Sequence, residues 1–267
     1  IAERDSATIQ RMAEPGGVAP VGRVADVVSR GEGGLLGLAT AGSTVYAYIT
    51  TAADNRVVTM EFDGTALSPQ TPLFTGIPAG TIHDGGRIAF GPDGKLYLAI
   101  GAPGFQETLG ETTWAQDPDH HGGKILRLND DGTTPADNPF VDRPGYRPEI
   151  FALGIRNAIG MAFRPETGQL WETENGPQGG DEINIIRAGL NYGWPVVTYG
   201  RAYSNDPEGA RSGLPPPTIQ PPTAAPGMEE PFTYYKPSIA IAGMTFYTGD
   251  KFPEWTGDLF AGGLAGR

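Results

Sequence analysis

Hydrophobic positions along the chain recur in short runs of four to seven residues, and helical periodicity is nearly absent. Runs rich in Val, Ile, Tyr, Phe and Leu predict strands at residues 45–51, 56–62, 87–90, 96–101, 124–128, 160–163, 169–173, 182–186, 242–247 and 258–261. Clusters of Gly, Pro, Asp and Asn separate them. Pro92-Asp93-Gly94 is a turn with its own chemistry: Pro presets one backbone angle, and Gly accepts positive φ. Asp63-Gly64 and Asp131-Gly132 do the same after a strand. One unit repeats. Ile88-Ala89-Phe90 with its turn and Leu96-Tyr97 is echoed by Met161-Ala162-Phe163 with Pro165 and Leu170-Trp171. A weaker echo is Met244-Thr245-Phe246 followed by Leu259-Phe260. The phenylalanines are 73 and 83 residues apart. A strand–turn–strand unit repeated with insertions predicts an all-β protein, a β-propeller ahead of a sandwich of hairpins.

Composition narrows the partners. The 267 residues include 40 Gly and 25 Pro, about a quarter of the chain, yet 39% are hydrophobic, enough for a core. The formal net charge of −12 argues against nucleic acid, whose phosphates need clustered Lys and Arg. No apolar run approaches the ~18 residues of a membrane span. Cys is absent, which excludes disulfides, thiolate ligands and Cys nucleophiles. All-β folds of this length commonly form one domain, so a single propeller domain over 1–267 is expected. The chain starts at Ile1 without a leader pattern, which reads as a trimmed, processed or partial start and not as cytoplasmic residence. Residues 203–231, rich in Pro, Gly, Ser and Ala, predict a long surface loop that either borders a pocket or is a passive excursion.

Few residues can carry acid–base chemistry, because there are only three His. His83 precedes a strand, where a neutral imidazole could serve as a base or simply bond a backbone carbonyl. His120-His121 reads as a hydrated turn ahead of a metal-binding corner. Arg156-Asn157 sets a fork of donors beside an amide, which suits a planar ligand bearing carbonyls or carboxylates. The stretch Glu174-Asn175-Gly176-Pro177-Gln178-Gly179-Gly180-Asp181-Glu182 forces an irregular backbone. Free carbonyls with carboxylates close by are ligands that Ca²⁺ takes; a tight turn with solvated acids is the other reading. Gly31-Glu32-Gly33-Gly34 lacks the Lys-Ser/Thr of a phosphate loop, so Glu32 either projects into a cavity or sits in a turn.

Together these segments resemble the soluble quinoprotein glucose/sorbosone dehydrogenase family, in particular its aldose sugar dehydrogenase branch. The resemblance covers residues 31–38, 83–101, 122–140, 154–163, 170–200 and 237–266 in the family's order. Its most specific motifs are Gly122-Gly123-Lys124-Ile125-Leu126-Arg127-Leu128-Asn129, Asp181-Glu182-Ile183-Asn184 and Asn191-Tyr192-Gly193-Trp194-Pro195. It implies a six-bladed β-propeller, incomplete at both ends in this chain. It further implies pyrroloquinoline quinone with Ca²⁺, oxidation of an aldose at C1 to the lactone, an external electron acceptor, and periplasmic or secreted residence. By the same resemblance His83 is the base that takes the C1 hydroxyl proton as hydride passes to the quinone, with Arg156 stabilising the charge that develops. Glu32, His83, Arg156, Asn157 and Asn175 would bind the cofactor. Gly176 and Pro177 would hold its calcium through their carbonyls, and Glu182 and Tyr192 a second one.

The chain departs from the family where Glu32 stands in place of the usual Gln, and where Asp84 and Ile155 stand in place of Asn and His. A carboxylate at 32 repels quinone carbonyls unless it is protonated or paired, with Arg156 the expected partner. The alternatives are a calcium-dependent propeller lactonase or hydrolase using Glu32, Asn157, Asp181 and Glu182, and a binding propeller without catalysis.

Overall fold

The computed structural model describes residues 1–13, 16–103, 114–201 and 221–265. Among them the chain forms five antiparallel sheets and one 3₁₀ turn, Pro253–Trp255. The first sheet is β1 (Ala2–Glu3), β2 (Thr8–Ala13) and β3 (Gly17–Arg23). Three four-stranded meanders follow. They are β4 (Leu35–Ala41) to β7 (Thr71–Ile77) through β5 (Thr44–Thr50) and β6 (Asn55–Glu61); β8 (Arg87–Phe90) to β11 (Ile150–Leu153) through β9 (Leu96–Ile100) and β10 (Lys124–Leu128); and β12 (Ala158–Phe163) to β15 (Thr233–Tyr235) through β13 (Leu170–Glu174) and β14 (Asp181–Ile186). The fifth sheet pairs β16 (Ile241–Phe246) with β17 (Leu259–Gly263). The first strands of successive sheets lie side by side, β1 against β4, β4 against β8, β8 against β12 and β12 against β16. Meander sheets placed with inner strand beside inner strand are the blades of a β-propeller.

Strand periodicity explains the core. In β9, Leu96, Leu98 and Ile100 face the preceding sheet and pack with Tyr46, Tyr48, Val57 and Ile88. Tyr97 and Ala99 point the other way, onto Met161, Leu170 and Ile186. Both faces of a blade are therefore buried, and β9 reads as a continuous apolar run instead of an alternating one. The repeated unit of the sequence is the hairpin joining the first two strands of a sheet. Its turn is closed by Gly91 N–H to Lys95 O at 2.8 Å and Gly94 N–H to Gly91 O at 3.0 Å.

All ten predicted strands are present, within two residues at most ends. Seven others, β1 to β4, β7, β11 and β15, escaped the reading. β3 and β7 carry Pro20 and Pro72 and are sheet edges, where a missing N–H is tolerated. β4 is hidden by its small residues, Leu-Leu-Gly-Leu-Ala-Thr-Ala. Of the predicted loop at 203–231, residues 203–220 lie outside the described residues. Residues 221–231 form bends and turns without a strand. Among the described residues no helix is long and apolar enough to cross a membrane.

Leu98 is fully buried at the centre of a blade. Leu98→Ala is expected to lower unfolding free energy by about 2–5 kcal/mol in urea titration, because the sheets on either side cannot collapse into the cavity.

Candidate functional site

Antiparallel meanders bring the start of a first strand and the link between the second and third strands to one end of each sheet. Glu32 precedes β4, His83 precedes β8, and Arg156 and Asn157 precede β12. Residues 101–103 follow β9, residues 114–123 precede β10, and residues 175–180 join β13 to β14. All of these lie at one rim.

His83 stands on that rim, just ahead of β8. Its backbone is left-handed, at φ 60°, a region that carries strain of about 1–2 kcal/mol outside glycine. Three contacts hold it. Its N–H donates to Glu32 Oε2 at 2.7 Å, and its Nδ1 lies 3.2 Å from Ala102 O. Its carbonyl lies so close to Gly101 that a Cβ there would sit at 2.2 Å, which requires glycine. The next residue, Asp84, is buried and turned away. Its Oδ1 accepts from Asn55 Nδ2 and from Gly80 N–H, both at 2.9 Å. Asp84 is thus an anchor for the loop. Burial, and then the Arg156 charge, hold the His83 imidazole well below its usual pKa.

Arg156 is buried and fastened from several sides. Its N–H donates to Glu174 Oε2 at 2.6 Å, and its Nη1 donates to Asn175 O at 2.7 Å. Its guanidinium lies 5.1 Å from the centre of the Trp194 ring. Asn157 Oδ1 accepts from Gly85 N–H at 3.2 Å, which ties the Arg-Asn pair to the His83 loop across two sheets. Asn175 Nδ2 donates to Ile241 O at 2.7 Å, so the side chain bridges to β16 while the Asn175 backbone carbonyl meets Arg156.

The turn after β13 runs through positive φ at Gln178, Gly179 and Gly180. Asp181 locks it: Oδ1 accepts Gly176 N–H, and Oδ2 accepts the Ser238 hydroxyl and the N–H groups of Ile239 and Ile241. Asp181 thus braces this turn against β16, its Oδ2 taken up by three donors and its Oδ1 by one. Pro177 O already accepts Arg201 N–H at 2.8 Å, and its second lone pair remains. Glu182 faces Glu174 across the β13–β14 ladder, and Glu172 faces Asn184. All four are buried, and Asn184 Nδ2 donates to Glu172 and Glu182. Burial raises all three carboxyls, Glu174 to about 7 against the lowering pull of Arg156, while the Glu174 charge pushes Glu172 and Glu182 up further. Glu172 Oε1 and Asn184 Oδ1 have no hydrogen-bond partner. Orphaned buried oxygens are a donor set that fits a hard cation, although among the described residues no group of three His, Asp or Glu is arranged to hold one. The Tyr192 hydroxyl is used, donating to Ile185 O and accepting Arg187 N–H, which leaves only its backbone for such a role.

A glucose/sorbosone dehydrogenase family model matches residues 1–267. The chain belongs to the glucose/sorbosone dehydrogenase family. Aldose sugar dehydrogenase YliI of Escherichia coli is 38% identical over 260 residues, which is 92% of this chain and 66% of that protein. Quinoprotein glucose dehydrogenase B of Acinetobacter calcoaceticus is 35% identical over 243 residues, 77% of this chain and 50% of that protein. The chain thus spans half to two-thirds of the length of these relatives. The structure of the PQQ-bound aldose sugar dehydrogenase from Streptomyces coelicolor superposes with a TM-score of 0.77 at 34% identity, covering 99% of this chain and 70% of that one. The propeller expected from the sequence is thereby the fold of this family member.

Ala102, Trp194, Glu172, Glu174 and Asn184 were not singled out as ligands or orienting groups. Ala102 acts through its carbonyl, which no side-chain pattern betrays. Glu172 and Glu174 alternate along β13, a spacing that ordinarily marks a solvent face. His120 and His121 are not a hydrated turn. His121 is buried against Glu149, and His120 stacks on Trp114, where burial lowers it to about 4.

Because a depressed imidazole stays neutral in mild acid, the His83 ring resonances are expected to titrate well below pH 6.5 in NMR of the protein. Arg156→Gln removes a nearby cation, so the midpoint should move upward; an unchanged midpoint would place the guanidinium too far away to act.

Proposed function

We propose that the protein oxidises aldose sugars at C1 to lactones, with pyrroloquinoline quinone and Ca²⁺ as cofactors, within a single propeller domain. The observation that carries this reading is that His83 and the buried Arg156 stand on one rim, near enough for the Arg156 charge to act on the imidazole. Kinship with proteins named aldose sugar dehydrogenase and quinoprotein glucose dehydrogenase supports it. When bound, the calcium-ligated quinone supplies a two-electron acceptor polarised by a Lewis acid.

The chain's own residues do the rest. With its Nδ1–H donated to Ala102 O, His83 presents the Nε2 lone pair and takes the C1 hydroxyl proton there. Arg156, immobilised by the Asn175 carbonyl and the Trp194 face, offers fixed positive charge where negative charge develops. Glu32, Asn157 and Asn175 border the cofactor. The carbonyls of Gly176 and Pro177 would hold its calcium. Glu182, with the Tyr192 backbone and the orphaned oxygens of Glu172 and Asn184, would hold a second. An external electron acceptor and periplasmic or secreted residence complete the proposal, and the absence of cysteine is compatible with that compartment.

Protein incubated with the quinone and Ca²⁺ should reduce the quinone on addition of an aldose, followed by absorbance. His83→Ala should slow this by roughly 10²–10⁴-fold while quinone still binds. Unaltered turnover in that variant would remove His83 from the chemistry. Calcium should also raise the melting temperature, and less so in Glu182→Gln. Full activity in excess chelator would exclude the Lewis-acid role.

A further inference from the structure

The Glu32 carboxylate has a specific partner. Two segments from different sheets clasp each other at the rim. Glu32 N–H donates to Thr81 O at 3.0 Å, and Glu32 Oε2 accepts His83 N–H at 2.7 Å. The clasp is reciprocal, backbone in one direction and side chain in the other, in the manner of a capping box. Its base is rigid. A Cβ at Gly31 would lie 2.0 Å from Thr81 O, one at Gly33 would lie 2.8 Å from Thr50 Oγ1, and Gly31 O accepts Arg4 Nη1 at 3.0 Å. The carboxylate therefore starts from a stem with little freedom.

We infer that Glu32 is a positioning residue for His83, its carboxylate gripping the His83 amide so that the left-handed backbone aims the imidazole at the rim. The flanking anchors act elsewhere: Asp84 ties Gly80 and Asn55, and Gly101 packs on the His83 carbonyl. The hydrogen bond from the His83 N–H runs to Glu32. A bond to an ionised carboxylate is stronger than one between neutral groups, which suits it to opposing relaxation of a strained residue. Glu32 itself is exposed, so losing its side chain leaves the core intact and acts on the local geometry of His83. The Nδ1–Ala102 bond, which sets the tautomer, depends on that geometry.

The role in catalysis rests on the dehydrogenase reading above; the role in geometry does not. The test accordingly has one arm without cofactor and one with it. In the protein without added quinone, ¹⁵N NMR of the His83 ring should show one dominant tautomer, protonated at Nδ1. Glu32→Ala should give a mixture, and Glu32→Gln, whose amide oxygen still accepts, should restore the single tautomer. In protein supplied with quinone and Ca²⁺, Glu32→Ala should lower kcat by roughly 10–10²-fold with little change in KM for the aldose. Glu32→Gln should recover most of that loss. A single tautomer in Glu32→Ala would overturn the inference, as would a Gln variant that behaves like Ala. Should the wild type reduce no quinone, the dehydrogenase reading fails while the NMR arm still decides the positioning.

Discussion

Three edge-to-face aromatic contacts set how each sheet sits on the next. Phe90 on β8 meets Tyr46 on β5, Phe163 on β12 meets Tyr97 on β9, and Phe246 on β16 meets Trp171 on β13, with centroids 5.0, 5.1 and 5.8 Å apart. In every case the last residues of a first strand pack on the second strand of the preceding sheet. Each pair contributes about 0.5–1.5 kcal/mol beyond its burial, and its quadrupolar geometry restricts the offset between blades. Repeating one offset keeps the starts of the first strands level. That level places Glu32, His83 and Arg156, which are far apart in sequence, at a single rim.

The rim is where the fold tolerates costly features. Left-handed backbone at His83, positive φ from Gln178 to Gly180, a buried guanidinium and several buried carboxyls all collect at or near it. None helps the sheets. Each is held by groups that belong to the ladders or their ends: Glu174 closes β13 and receives the Arg156 N–H, and Asp181 opens β14 and binds four donors. Local strain supported by an over-determined frame is the usual condition of a functional site.

What could be read from the chain follows from which interactions are local. The repeated Phe-turn-Tyr or Phe-turn-Trp unit was legible because one hairpin contains it whole, and it disclosed the blade. β3 and β7 were obscured by Pro20 and Pro72, since edge position is a property of the sheet and not of the strand. Arg156-Asn157 and the Gly176-Pro177 turn announced themselves by unusual residue types. The Ala102 carbonyl could not, because every residue has one. The chain pointed to Arg156 as the partner of Glu32, whereas the hydrogen bond to its carboxylate comes from the His83 backbone. That the partner includes the His83 amide depends on the approach of two separate sheets.

The pairing of His83 with Arg156 involves a compromise. Burial and the guanidinium lower the imidazole's affinity for a proton, which weakens it as a base. The same two factors keep it unprotonated in mild acid, and so available. In the proposed reaction the proton leaves the substrate as negative charge moves toward the acceptor, so the charge that Arg156 meets is changing during the step. In that proposed step, the penalty that a fixed cation places on imidazolium would fall as negative charge develops beside it. This coupling requires the guanidinium to stay in place, which its contacts with Asn175 O and the Trp194 ring ensure. A lysine in its place would keep the charge but lose the guanidinium's paired contacts with Asn175 O and the Trp194 ring, and with them the fixed position on which the compromise depends.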